Sequence, residues 1–387
     1  MSNDFQPPER GLILWPVGTG DSTTIVVDDE RWVQIDLHQL AASEDESDDR
    51  EPVVDRLLEL APQRDGKPYI AAFAATHLDK DHILGFSKLL DEAVIGDIWF
   101  SPRVLHDNEE GEDLCDDADV FVKEVERRIK HIASGNEAAS GDRILIVGDD
   151  DILSESPYSD LPEECFTKPG EFFAVLDGDE LVDKFRVYVH SPEKGDGSED
   201  RNDTSLGLQI MVADGDHRGT FMTLGDLAYP DVSQIFERAD DDDLLWSVFQ
   251  APHHCSKKVM YWKADGDESE VLKTDVLDRL EKTADERDAY IVASCECIPA
   301  SDEEGANPPH RAAATAYEER VDAGRFLVTG DYAPDPLVFE LGNEGFALRN
   351  DIPDTDDGGG ARNLDEAASA GGGGASSGHT SAVGFGA

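Results

Sequence analysis

Two histidines and two aspartates fall within six residues, His77 to His82, in the run Thr76-His77-Leu78-Asp79-Lys80-Asp81-His82. Imidazole and carboxylate together suit Zn²⁺, Mn²⁺ or Fe better than Ca²⁺ or Mg²⁺. In an extended segment His77, Asp79 and Asp81 alternate and can point to one side, and His82 adds a ligand from a helix start. That is enough for two metals side by side. The competing reading is a polar helix cap by Asp79 or Asp81, which needs neither histidine. Further polar groups follow in the same style. Thr223-Leu224-Gly225-Asp226 ends a strand with an aspartate freed by a glycine, and Pro252-His253-His254-Cys255-Ser256 ends another with paired histidines. Asn202-Asp203-Thr204-Ser205-Leu206 introduces a strand, and Asn307-Pro308-Pro309-His310 precedes a helix. Singly, each has a plain structural reading: a turn cap for Asp226, loop histidines for His253 and His254, a helix flank for His310.

The surrounding pattern says what must hold these groups. Tyr69 to Ala75 is a short, β-prone apolar run before the first cluster, and Ile83, Leu84, Phe86, Leu89 and Leu90 follow at helical spacing. Strands are expected at 11–15, 22–27 and 31–36, with a glycine turn, Val17-Gly18-Thr19-Gly20-Asp21-Ser22, between the first two. Later strands are expected at 95–100, 144–147, 185–190, 206–212, 219–224, 248–251, 291–294, 326–328 and 337–340. Helices are expected at 51–60, 83–90, 120–132, 271–283 and 311–323. Polar site residues thus fall at strand ends. From about 105 to 180 the signal weakens and reads as an insertion. From Pro353 onward Gly, Ala, Ser and Asp dominate. One domain is therefore expected over 1–350 and a disordered tail over 351–387.

Composition bounds the environment. The chain has 387 residues, 86 acidic against 33 basic, for a formal net charge of −53. The acidity is dispersed, Asp outnumbers Glu, and Arg outnumbers Lys. Such a surface repels itself in dilute buffer, but at about 1 M salt the Debye length is only ~3 Å. The expectation is a halophilic protein, similar in this respect to haloarchaeal ones. A basic-patch mode of nucleic-acid binding is disfavoured, yet salt screening leaves a phosphodiester substrate open. The five cysteines show no CxxC pair, so neither a disulfide framework nor a zinc ribbon is indicated. Cys295-Glu296-Cys297 can ligate metal or simply alternate in a strand. The N-terminus lacks a signal-like apolar core and no apolar run reaches 18 residues, so a cytoplasmic protein with no membrane part is expected.

Taken together, these motifs resemble the metallo-β-lactamase fold, most of all the branch containing the hydrolase domain of ComEC-type competence proteins. The matches are VGxGDS at Val17 to Ser22, I-D at Ile35-Asp36, and THxDxDHxxG at Thr76 to Gly85, with Asp79 where many relatives carry a second histidine. NDxSL matches Asn202 to Leu206, GD matches Gly225-Asp226, and N-x-x-H matches Asn307 to His310. PHHGS matches Pro252 to Ser256 except that Cys255 replaces glycine. The likeness covers roughly 10 to 345. Segment 105–180 departs from it, as does the lack of a membrane channel, which argues against DNA import by this chain.

The resemblance implies an αββα sandwich, two mixed sheets flanked by helices, with two divalent metals, Zn or Mn, at one edge. His77, Asp79 and Asp226 would serve one metal. Asp81, His82, Asp226 and one of the paired histidines, His253 by preference, would serve the other. His190 is a candidate for an extra histidine ligand. Asp21 and Asp36 would orient ligand imidazoles. Asp81 would also handle the water, and His310 would act on the leaving group or developing charge. His254, Ser256, Lys257, Asn202 and Ser205 would line the mouth. A metal-dependent phosphodiesterase or nuclease is the expected activity, on nucleic acid or a small phosphodiester. Lactone, ester, amide or thioester hydrolysis on the same site is the alternative, and a non-catalytic metal protein that binds a partner is the third.

Overall fold

The computed structural model describes residues 5–45, 47–103, 115–192, 204–263 and 268–349. Asn202 and the expected tail over 351–387 lie outside the described residues.

The chain builds two large mixed sheets. The first runs in the order Gly345–Leu348, Leu337–Gly342, Gly11–Leu14, Thr23–Asp28, Arg31–Ile35, Lys67–Ala74, Val94–Phe100, Arg143–Val147 and Phe166–Thr167. It is antiparallel as far as Arg31–Ile35 and parallel beyond it. The second runs Phe326–Val328, Tyr290–Ala293, Val248–Gln250, His217–Thr223, Gly207–Asp214, Phe185–Ser191 and Phe172–Phe173. Its first four strands are parallel and the rest antiparallel.

Strand alternation makes a layered core. Leu12 and Leu14, Ile25 and Val27, and Val33 and Ile35 face Val187, Leu208, Ile210, Phe221, Val248 and Val292 of the other sheet. The opposite faces meet helices. Ile13, Trp15, Ile70 and Phe73 pack with Val53, Leu57, Phe86, Leu89, Phe121 and Val125. Met222, Phe249 and Ile291 pack with Val232, Ile235, Leu277, Leu280 and Tyr317. The result is an αββα sandwich, two mixed sheets flanked by helices, as the resemblance implies. The parallel strands bring their carboxyl ends to one edge, the place where open α/β sheets gather ligands. Asp36, Thr76, His77, Asp226 and His253 all sit just past such strand ends.

Several elements differ from expectation. The helix over 83–90 is broken into Lys80–Ile83 and Phe86–Glu92. Gly85 between them has φ 103°, and a Cβ there would lie 2.7 Å from Val54 Cγ2. The helix over 271–283 begins only at Thr274, after Val271–Leu272 pairs with Tyr261–Trp262 in a small hairpin. The helix Tyr229–Arg238, with Pro in its first turn, was not expected. Elements of residues 115–180 pack against the first sheet. The helix Asp116–Ala133 places Phe121, Val125, Ile129 and Ile132 in the outer core, and Arg143–Val147 extends the first sheet. Asp117 on that helix accepts from the Gly85 and Ser87 backbone N–H groups at 2.9 and 3.0 Å, capping the helix next to the His77–His82 run. Its charged composition hid an amphipathic face whose apolar residues recur at helical spacing.

If this segment is integral, Phe121→Ala should lower unfolding free energy by about 3–5 kcal/mol. Denaturant titration checks it, and a loss below about 1 kcal/mol would indicate a detachable lobe.

Candidate metal centre

The glycine turn is clamped onto the His77–His82 loop. Asp21 N–H donates to the Asp81 carbonyl at 2.9 Å, and Ser294 Oγ donates to the Gly20 carbonyl at 2.6 Å. A Cβ at Gly20 would lie 2.1 Å from His38 Nδ1 and 2.9 Å from Asp81 O, so only glycine lets the two segments meet. Across the strand end, the Gln34 amide donates to the Asp36 carbonyl at 2.6 Å and to Ser22 Oγ at 2.9 Å. This fixes Asp36 in a left-handed conformation, φ 51°. Its carboxylate then accepts from Thr76 N–H at 2.7 Å, Thr76 Oγ1–H at 2.6 Å and His82 Nδ1 at 2.8 Å.

On the second sheet, Gly225 has φ 52°, and a Cβ there would lie 2.9 Å from Ser205 Cβ and 3.1 Å from Thr76 Cβ. Ser205 Oγ accepts from Asp226 N–H at 3.4 Å, and His253 N–H donates to the Gly225 carbonyl at 3.0 Å. His253, His254 and Cys255 have φ of 51°, 52° and 67°. Three consecutive left-handed L-residues cost about 1–2 kcal/mol each, and such strain persists only where the surroundings impose it. Cys255 occupies the position where the resemblance has glycine, which adopts this conformation freely.

These supports aim four imidazoles at one carboxylate. Asp226 Oδ1 lies 3.2 Å from His82 Nε2 and 3.7 Å from His254 Nε2. Asp226 Oδ2 lies 3.8 Å from His77 Nε2 and 3.7 Å from His253 Nε2. Asp81 Oδ2 stands 3.1 Å from His254 Nε2. The paired histidines therefore face opposite oxygens of Asp226, with ring planes at 89°. His254, expected at the mouth, is the one beside Asp81 and His82, while His253 is on the His77 side. Two sets of possible ligand atoms converge within 4.8 Å: Asp21, His82, Asp226 and His254, and His77, Asp81 and His82.

The donor chemistry fits cations. Asp36 faces His82 Nδ1 at 2.8 Å, and Asp21 Oδ1 lies 3.3 Å from His254 Nδ1. In a neutral His82 ring Asp36 keeps the proton on Nδ1, so its Nε2 lone pair points forward, and the charge of Asp21 favours the same tautomer of His254. Yet the two Nε2 atoms are only 3.2 Å apart, with the carboxylates of Asp226 and Asp81 beside them. His77 Nε2 is buried with no hydrogen-bond partner. Electron donors converging in a buried place need a positive charge among them. Without a metal, protons supply it. Burial lowers His254, but Asp226 and Asp21 outweigh burial and raise it from 6.5 to about 10. Burial likewise opposes His82, which Asp226 and Asp36 hold well above its ordinary value. Burial raises Asp226, but His254 and His82 hold it well below. His77, by contrast, is lowered to about 3 by burial and by His82.

Other expected site residues fall elsewhere. Asp79 is half-buried at the turn, stands in neither converging set, and makes no side-chain cap to the helix it precedes. His310 has both ring nitrogens committed to backbone: Nδ1 accepts from Lys257 N–H at 3.3 Å, and Nε2 lies 3.1 Å from Ala306 O. It braces the histidine turn. Ser256 Oγ accepts from Lys258 N–H at 3.3 Å, and Lys257 Nζ turns to Glu270 at 3.4 Å. His190 is buried beside Tyr188, with ring centroids 4.9 Å apart, and stands in neither set. All five cysteines are free; Cys295 is buried and Cys297 exposed. Sequence reasoning did not assign roles to Thr76, Gln34 or His38. Their signal was weak, because each works through contacts with segments distant in sequence.

A solved structure titled as the first B3 metallo-beta-lactamase with an active site glutamic acid is similar over 72% of this chain and 88% of that one, at 11% identity and a TM-score of 0.37. No protein-family model and no curated protein matches the chain. No helix among the described residues is long and apolar enough to cross a membrane.

Asp36→Asn should weaken metal binding by roughly 10–100-fold with the fold retained, read by chelator competition. In chelator the proton on His254 stabilises the fold below about 6.5 and is lost as pH rises towards about 10. The metal-free chain should therefore lose stability over that window, and His254→Gln should flatten the dependence. A denaturation midpoint that does not fall with pH in the wild type would contradict this.

Proposed function

We propose that this protein is a metal-dependent hydrolase, with a phosphodiester as the favoured substrate class. The observation that carries the reading is the Asp226 carboxylate set between two pairs of imidazoles. In this reading His77, His253 and Asp226 would hold one cation, and His82, His254, Asp81 and Asp226 would hold a second. Such cations, when bound, supply Lewis-acid polarisation and acidify a water.

The chain's own groups do the rest. The Asp81 side chain is 36% exposed, against 0% for His82 and 1% for His254, so it lies at the mouth of the cluster. Burial works against its ionisation, but His254 and His82 hold its carboxyl well below the usual range. It is therefore charged at neutral pH, suited to accepting a hydrogen bond from a water and orienting it. Asp36 and Asp21 hold the imidazole rings still, so no reorganisation is needed as charge develops. Phosphodiester chemistry is favoured by the motif set shared with the ComEC-like branch, which includes Gly225-Asp226 and Pro252-His253-His254. The acidic composition favours molar salt as the working medium, where the charge on a polyanionic substrate is screened.

The test is metal content by mass spectrometry and hydrolysis of single-stranded DNA, RNA and bis-p-nitrophenyl phosphate, in molar KCl with Zn²⁺ or Mn²⁺. Two metals per chain with phosphodiester cleavage is the expected result. Asp81→Ala and His82→Ala should each lower kcat at least a thousandfold while leaving the circular dichroism of the fold unchanged, a loss scaled to removing a metal-centre group. Full activity in both variants would sink the mechanism. Two metals with cleavage only of lactones or thioesters would move the substrate class, and an empty site would favour a partner-binding protein.

A further inference from the structure

Among the described residues the mouth of the cluster offers few groups that can donate to an anion. Asp81 and Asp226 are carboxylates, and the forward nitrogens of His77, His82, His253 and His254 face Asp226. The ring of His310 is committed to backbone and the ammonium of Lys257 to Glu270, while Ser256 Oγ uses only its acceptor side, on Lys258 N–H. His38 is different. It lies two residues past Asp36, on a segment tied to the metal turn by Leu37 N–H to His82 O at 2.8 Å and Gln39 N–H to Leu84 O at 2.9 Å. Its ring lies over Gly20, next to the Asp81 carbonyl. The charges that act on it are those of Asp81, His82, His254 and Asp21, all of them site residues.

Its tautomer follows from burial. Nδ1 is buried with no hydrogen-bond partner. An N–H there would lose its bond to water and gain nothing, a cost of about 1–3 kcal/mol, whereas a lone pair against the Gly20 Cα–H is cheaper. A protonated ring would place such an N–H there as well. The proton of the neutral ring therefore sits on Nε2, which is not among the buried, unpartnered atoms.

We propose that His38 is a neutral hydrogen-bond donor which, through Nε2–H, holds an oxyanion of the substrate at the Asp81 side of the site. This rests on the phosphodiester reading above, with a non-bridging phosphoryl oxygen as the acceptor. A neutral donor suits that place, since it stabilises developing charge without competing with a cation for Asp81.

The metal-loaded full chain in molar salt provides the test, with His38→Phe removing the donor and His38→Gln keeping one. Three readouts are needed: metal content, inorganic phosphate affinity by calorimetry, and kcat and KM on bis-p-nitrophenyl phosphate. His38→Phe should keep its metals, bind phosphate about tenfold more weakly and lose roughly a hundredfold in kcat, with partial recovery in His38→Gln. Unchanged phosphate affinity, lost metal, or a His38→Gln as impaired as His38→Phe would overturn the proposal, as would a wild type that binds no phosphate. If phosphate binding weakens as expected but the wild type leaves the nitrophenyl diester uncut, the phosphodiesterase reading fails and the donor role of His38 stands.

Discussion

One buried carboxylate governs the site. Asp226, 3% exposed, sits with four imidazole nitrogens within 3.8 Å. A carboxylate in the interior is costly unless matched by positive charge. The chain surrounds it with rings whose rear nitrogens are themselves held by carboxylates, Asp36 behind His82 and Asp21 behind His254. That arrangement leaves lone pairs facing lone pairs, and only a cation or a proton among them makes it stable. Much of the local backbone serves this geometry: the left-handed turns at Asp36 and His253 to Cys255, and the glycines at 20 and 225 where any side chain would collide.

The fold makes such strain affordable by distributing it over two sheets. The turn that carries Asp21 is hydrogen-bonded both to the His77–His82 loop and to Ser294 at the end of a strand in the opposite sheet. Leu206 N–H reaches the Thr76 carbonyl at 2.9 Å, again from one sheet to the other. The metal loop is thus gripped by both halves of the sandwich, so the shared apolar layer between the sheets is what holds the ligands in register. A mutation that loosens that layer would act on the site at a distance.

Much of the architecture was legible beforehand because it rests on local periodicity. The strand ends that present Asp36, His77, Asp226 and His253 follow from short apolar runs that end in polar residues, with Gly225 and Pro252 breaking two of them. The helix Tyr229–Arg238 has a short apolar face, Val232, Ile235 and Phe236, interrupted by Ser233 and Gln234, so its periodicity is weak in the sequence. Within 105–180 the spacing exposes the helix over 120–132 and the strand over 144–147, but only pairing with Val94–Phe100 and packing in the outer core join them to the sandwich.

The sequence by itself determined the chemistry available: the donor types, their position at strand ends, and the glycines that free the backbone there. These are encoded in neighbouring residues, so spacing alone exposes them. Tertiary structure decided which donors meet. His253 and His254 are adjacent in sequence, yet two consecutive left-handed residues turn their rings to opposite sides of Asp226. His310 carries the right chemistry, but packing against Lys257 and Ala306 uses both of its nitrogens. His38 carries no motif of its own, and only the contact with Gly20 sets its tautomer and brings it to the site. Each of these outcomes depends on residues far apart in the chain, and no local pattern records such distances.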